Sequence, residues 1–339
     1  MSSELSLKRP SALLPAAGWI PWPDRSQVRL TGADRAKFLH NFCTNDIKKL
    51  QPGQGCEAFL TTIKGRILGH IFVFAGDNDL MIDTVPGDDT KIQEHLNRYL
   101  ITEDVQIVVV TDQLQCVYVF GAEAVLRVQE AFGIDVGQLV ECGHLERPSS
   151  AAPLSPAWLR RLDLTAQPGF EIAMATADEP PPGVTFAHSN PQASQPVLVD
   201  EQAFTAFRID AAFPVYGVDL TEDHLAQEAA RTENAISFTK GCYLGQEPIA
   251  RIDALGHVNR ELRVVALDGA ESLRAPVKVV DATSRAELGT LTSVGRVAGS
   301  ATVGLGMLRT SAQPGAQVIA VSEQGDFRGE VVKPAMRMT

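Results

Sequence analysis

The chain has 339 residues, 45% of them hydrophobic and 21% charged, with a formal net charge of −11. That length predicts two or three domains of a globular protein, and the acidic balance argues against an extended nucleic-acid contact, which needs clustered Lys and Arg. No run of about 18 apolar residues is present to span a membrane, and Lys8 and Arg9 before Leu13-Leu14-Pro15 lack the apolar core of a secretory signal. A cytoplasmic monomer with neither membrane nor direct nucleic-acid partners is expected. Cys43, Cys56, Cys116, Cys142 and Cys242 form no C-x-x-C pair, and the histidines show no H-x-x-x-H spacing. Neither a disulfide framework nor an iron–sulfur or zinc ligand set follows from this, and no bound metal is expected.

In chain order, residues 27–30 alternate and predict a short strand. Thr31-Gly32-Ala33-Asp34 has the spacing of a capping arrangement, before a helix with Phe38, Leu39 and Phe42 on one face. Thr44-Asn45-Asp46 ends it, with side chains that favour a turn. Residues 57–63 and 66–74 predict a hairpin across Lys64-Gly65, and 80–85 a further strand. Within that hairpin His70 follows Gly69 among apolar neighbours, where a histidine is more often a structural residue than a base. An amphipathic helix at 91–100, strands at 105–110 and 116–120, and a helix at 122–132 complete an α+β layer of ferredoxin-like type.

The stretch 147–156 is rich in Pro, Ser and Ala and reads as a link. Strands at 158–165 and 170–174 flank a Gln167-Pro168-Gly169 turn. Glu171 follows that turn, as a strand-edge surface group or as an acceptor of paired hydrogen bonds. Residues 180–196 read as a surface excursion. A helix at 200–210 carries Arg208 and runs into Ile209-Asp210-Ala211-Ala212-Phe213-Pro214-Val215-Tyr216-Gly217.

Lys240-Gly241-Cys242-Tyr243-Leu244-Gly245-Gln246-Glu247, with Arg251 following, concentrates reactive groups in twelve residues. Its last part reads as the start of a helix that tolerates Pro248 in its first turn, with Glu247 and Arg251 as an i,i+4 pair. Cys242 lies just before that helix, and Lys240 nearby also favours thiolate. A glycine-punctuated loop with an inert cysteine and a solvated ion pair is the other reading of the same residue types. Beyond Arg260, short segments at 261–267, 277–280, 286–293, 301–309, 317–321 and 327–332 predict a small antiparallel barrel or sandwich.

The Lys-Gly-Cys-Tyr-x-Gly-Gln-Glu segment with Arg251 resembles the signature of the YgfZ family of folate-binding proteins. That family is related to the T-protein, the aminomethyltransferase of the glycine cleavage system. The 31–46 stretch and Arg208–Gly217 resemble the family too, with Asp210 and Ala212 where it has glutamate and glycine. The resemblance implies an α+β, three-domain aminomethyltransferase-like ring. Its parts would be a discontinuous folate-binding domain (1–54 plus 134–255), a ferredoxin-like domain (55–133) and a C-terminal antiparallel β-barrel domain (256–339).

It further implies tetrahydrofolate or a one-carbon derivative as cofactor, and iron–sulfur client or assembly proteins as partners. The implied function is support of cluster assembly or repair in client enzymes, tRNA-modifying enzymes among them. On matching positions it makes Asn45, Asp46, Glu171, Arg208, Tyr243, Gln246, Glu247 and Arg251 folate-binding candidates. Glu171 falls where the T-protein has a pterin-binding glutamate, and Arg251 is placed to anchor an anionic group such as the glutamate tail. Cys242 is the implied reactive residue, with Lys240 lowering its pKa; the thiolate would attack a sulfur or carbon centre, exchange disulfides or transiently hold iron. Gly69 and His70 stand where the T-protein has an aspartate pair, so classical aminomethyltransferase activity is not expected; Phe204 stands where it has a folate-contacting arginine, which weakens the carry-over of folate-tail contacts to that helix. A folate-dependent one-carbon (aminomethyl or methyl) transferase is the alternative, and a folate sensor with a structural Cys242 a third reading.

Overall fold

The computed structural model describes residues 8–22, 25–146, 157–175 and 196–335; the expected link at 147–156 and the excursion from 180 to 195 lie outside them. The chain enters through β1 (Gly18–Pro21) and β2 (Ser26–Thr31), then α1 (Arg35–His40), β3 (Gly55–Thr61), β4 (Ile67–Ala75), β5 (Asp79–Thr84), α2 (Asp89–Asn97) and β6 (Gln106–Val109). Five of these strands form an antiparallel sheet in the order β3-β4-β5-β2-β6. The path β2-α1-β4-β5-α2-β6 is the split βαβ connectivity of a ferredoxin-like layer, with β3 added at one edge. β4 is apolar along almost its whole length because both faces are covered. Ile71 and Val73 point toward the α1 and α2 side, while Phe72 and Phe74 pack toward the second sheet.

The second sheet repeats this plan. β7 (Leu114–Phe120), α3 (Ala124–Phe132), β8 (His144–Glu146), β9 (Trp158–Arg161), β10 (Gly169–Ala175) and β11 (Val197–Leu198) follow. Its order is β11-β1-β7-β10-β9-β8. Without β11 the antiparallel order β1-β7-β10-β9-β8 matches β6-β2-β5-β4-β3 strand for strand, with a helix after β7 as after β2. The strand pairing therefore crosses the expected boundaries at 54/55 and 133/134. β2 sits between β5 and β6, β7 sits between β1 and β10, and the ferredoxin-like path runs from residue 26 to 109.

α4 (Glu201–Asp210) starts where the Asp200 carboxylate accepts the Ala203 N–H at 2.8 Å, satisfying one of the orphan donors of its first turn. The cap expected for α1 does not form: Asp34 turns its carboxylate to the Asp104 N–H at 3.0 Å. α5 (Thr232–Ala235) and α6 (Gln246–Leu255) precede six strands, β12 (Arg260–Leu267), β13 (Val277–Asp281), β14 (Glu287–Gly295), β15 (Thr302–Arg309), β16 (Gln317–Ser322) and β17 (Gly325–Val332). These close into an antiparallel barrel in the order β12-β15-β14-β13-β16-β17, filled by side chains such as Val265, Leu291, Leu308 and Val331. α4 packs on β14 and β15, and the Arg9 guanidinium ties the N-terminal segment to Asp210 and to the Lys333 carbonyl. Among the described residues no helix is long and apolar enough to cross a membrane.

Candidate functional site

Where the two sheets face each other beside α4, a cavity of about 550 Å³ opens. Its wall is aromatic, with Trp22, Phe72, Phe204 and Phe213, and is broken by Arg25, His70 and Arg208. Two donors in this wall, Trp22 Nε1 and Arg25 Nε, are buried without a hydrogen-bond partner. Buried donors are normally satisfied, so the indole N–H marks a place where a ligand acceptor would be held, whereas Arg25 Nε faces the Glu171 carboxylate. Arg208 is less available. It donates to the Phe213 carbonyl at 3.1 Å, to Asp219 at 2.8 Å and to Ser293 Oγ at 2.8 Å, fastening α4 to the barrel.

Behind Arg25 lies a buried charge cluster. Arg160, fully buried on β9, donates to Glu171 at 2.8 Å and to Gln27 at 3.0 Å, and reaches Asp83 at 3.5 Å. Arg25 pairs with Asp83, and its Nε stands 3.9 Å from Glu171 Oε2. Glu171 is therefore not at a strand edge on the surface; it faces the neighbouring sheet, one guanidinium away from the cavity wall. Burial, and then the proximity of Asp83, raises its carboxyl to about 7.

On the other side of the cavity, His70 Nε2 lies 2.7 Å from Glu57 Oε1. Arg231, reaching in from the turn before α5, donates Nε to the same oxygen at 2.8 Å and Nη2 to Oε2. Burial on its own would raise the Glu57 carboxyl; Arg231 and then His70 outweigh it and hold the group well below the usual carboxylate range.

The motif loop forms a separate cluster. Lys240 is buried, and its ammonium donates to the carbonyls of His40, Cys43 and Asn45 at 2.5, 2.6 and 2.8 Å, with the Tyr243 ring centroid 4.6 Å away. The lysine is thus committed to the loop after α1 and not to the Cys242 thiol, the role expected of it. Desolvation lowers the Lys240 pKa, and burial pushes the Tyr243 phenol up to about 12. Asn45 donates to the Glu57 and Asn234 carbonyls at 2.8 and 2.9 Å, and its Oδ1 accepts the Asp46 N–H at 2.9 Å. Asp46 lies 3.3 Å from His40 Nδ1 and 2.9 Å from Lys49 Nζ. Gly245 then makes the turn into α6 at φ +84°, where a Cβ would meet the Thr62 carbonyl oxygen at 2.3 Å. Only glycine fits there.

Cys242 is exposed, as are Glu247 and Arg251, while Gln246 is half-buried at the start of α6. Among the described residues no ion pair joins Glu247 to Arg251. The expected site residues therefore separate into three groups: Arg208 and, through Arg25, Glu171 at the cavity; Lys240, Tyr243, Asn45 and Asp46 in the loop cluster; and Cys242, Gln246, Glu247 and Arg251 toward solvent. Glu57 connects the first two, since its carboxylate holds His70 and its carbonyl accepts from Asn45. Trp22, Arg25, Phe72 and Arg231 had no place in the sequence reading. The available signal was charge inside apolar runs, as at Asp83 in Met81-Ile82-Asp83-Thr84 and at Arg160 after Trp158-Leu159.

The architecture is shared with known proteins. The glycine cleavage system aminomethyltransferase T from Bartonella henselae superposes with a TM-score of 0.81 over 94% of this chain and 86% of that one; at 18% identity this likeness shows the fold. The chain is 25% identical over 299 residues to a putative chloroplastic transferase of Arabidopsis thaliana, covering 88% of this chain and 66% of the length of that protein. It is 27% identical over 245 residues to the tRNA-modifying protein YgfZ of Yersinia pseudotuberculosis, covering 72% of this chain and 69% of the relative. A family model for the GCVT N-terminal domain matches residues 16–240. That span takes in both facing sheets, the cavity between them and Lys240, and the chain belongs to the GCVT N-terminal domain family.

Proposed function

We propose that this chain is a tetrahydrofolate-binding protein of the YgfZ type that supports assembly or repair of iron–sulfur clusters in client enzymes, tRNA-modifying enzymes among them. The cavity carries the folate half of the reading. Its volume of about 550 Å³ lies in the range of small-molecule sites, its walls are aromatic, Trp22 Nε1 is an unpaired donor in them, and the Arg25 guanidinium adds a positive charge. A pterin offers ring nitrogen and carbonyl acceptors to such donors and a flat face to Phe72 and Phe213. Trp22 and Arg25 would hold it, with Glu171 setting the charge behind Arg25. When bound, tetrahydrofolate supplies a carrier for one-carbon units.

The exposed Cys242 supports the second half, because a thiol at the surface of a loop anchored by Lys240 is accessible to a partner protein. Kinship with a protein named tRNA-modifying protein YgfZ points the same way. Calorimetric titration of tetrahydrofolate and 5-formyltetrahydrofolate, with a cluster-repair assay on wild type and Cys242→Ala, tests both halves. Saturable heat and lost repair in the variant are expected. No heat in wild type removes the folate, and repair unchanged in Cys242→Ala removes the thiol.

A further inference from the structure

Glu57, His70 and Arg231 form a buried hydrogen-bonded chain that ends at the cavity. His70 is 5% exposed, lines the cavity from β4, and has the rings of Phe59 and Phe213 at 5.1 and 5.6 Å. The tautomer of its imidazole follows from its partners. Glu57, 2% exposed, receives two bonds from Arg231, a permanently protonated guanidinium with no acceptor. Paired in this way the carboxylate carries no proton and only accepts. The hydrogen in the 2.7 Å contact with Glu57 is therefore the imidazole Nε2–H, which leaves a lone pair on Nδ1 when the ring is neutral. Among the described residues no protein group bonds to that Nδ1.

We propose that His70 is the proton acceptor of the cavity, with Glu57 fixing its tautomer and Arg231 fixing Glu57, and that the cavity takes a ligand presenting an N–H or O–H donor to Nδ1. In the transfer this arrangement permits, the ligand N–H or O–H bond breaks and its electron pair stays on the ligand atom. The proton forms Nδ1–H, and the imidazolium charge is carried beside the Glu57 carboxylate. Arg231 keeps Glu57 from taking the proton itself. Arg25, Arg208 and Glu201 are the other charged residues of the wall. Identifying the donor as a reduced pterin rests on the folate reading; the base itself does not.

The test uses the full chain. Nitrogen-15 NMR of the imidazole reads the tautomer directly, and peptide-resolved acylation by diethyl pyrocarbonate, which attacks unprotonated ring nitrogen, reads access to it. Acylation is run with and without 5-formyltetrahydrofolate, while calorimetry follows binding independently. The expected result is an Nε2–H tautomer and a His70 that is acylated in the free protein. Saturating folate then protects it at least tenfold, while exposed His257 reacts equally in both states. An Nδ1–H tautomer, or a His70 that stays unmodified while His257 reacts, overturns the proposal; acylation unaffected by folate that calorimetry shows to be bound places the folate outside this cavity and removes the pterin as the donor. If calorimetry shows no binding, the folate reading falls, and an Nε2–H, acylated His70 still supports the base.

Discussion

Lys240 Nζ donates to the His40 carbonyl at 2.5 Å across 200 positions of sequence. With the Cys43 and Asn45 carbonyls also taken, all three N–H groups of the ammonium are engaged in holding the loop after α1. Lys240→Met keeps the aliphatic stem and leaves those carbonyls without their donor. It should cost roughly 2–4 kcal/mol, read from urea midpoints at constant m-value, while the alkylation rate of Cys242 in the native protein stays unchanged. A variant of native stability with slowed Cys242 alkylation would return the lysine to thiol activation.

Glu171 makes stability depend on pH in the direction opposite to a surface carboxylate. Burial, together with the neighbouring Asp83, raises its carboxyl to about 7 in the folded chain, against ~4.3 when unfolded. The folded state holds the proton more tightly, so this contribution is fully present below about pH 4.3 and is lost as pH rises through about 7. Glu171→Gln fixes the neutral form. Wild type should lose stability relative to the variant between about pH 4 and about pH 7, and the difference should level off above that. A difference that stays flat over that window would mean that Arg160 keeps Glu171 ionised throughout.

The barrel was legible because its strands are cut by Gly, Ser and Pro: the expected 301–309 and 317–321 fall on β15 and β16 within one residue. The layer boundaries were not, since β2 and β7 belong to their sheets by hydrogen bonds to strands far along the chain, which local pattern does not encode. The motif at 240–247 stood out as a segment, yet the role of Lys240 depended on carbonyls near residue 40. The cavity was invisible for a related reason. Trp22, Phe72 and Phe213 come from three distant segments, and an aromatic in an apolar run looks the same whether it fills a core or lines a hole.

Glu57 and Arg231 are a buried ion pair between β3 and the turn before α5, 174 positions apart. Glu57→Gln leaves a guanidinium buried without its counter-charge and should cost about 3–5 kcal/mol, and Arg231→Met a similar amount. The double variant removes both charges and should recover part of the loss, giving a coupling energy above about 1 kcal/mol in a double-mutant cycle. Because Arg231 and His70 depress the folded Glu57 carboxyl despite its burial, its contribution is present above ~4.3 and lost as pH falls through the depressed value. Additive single losses would place the pair among the surface bridges that contribute little.

Trp22 separates binding from folding. Its indole N–H is buried with no protein partner, so Trp22→Phe removes a donor that the free protein does not use, while keeping an aromatic face beside Tyr118 and Phe204, whose rings lie 5.3 Å away. A folate acceptor held by that N–H would lose one hydrogen bond, worth about 1 kcal/mol, so affinity should fall by roughly five- to tenfold. Packing losses lower the melting temperature with and without ligand alike. The lost hydrogen bond shows separately, as a smaller ligand-induced rise in melting temperature. If 5-formyltetrahydrofolate raises the melting temperature of Trp22→Phe as much as that of wild type, the indole N–H does not meet the ligand, and the pterin lies elsewhere in the cavity or outside it.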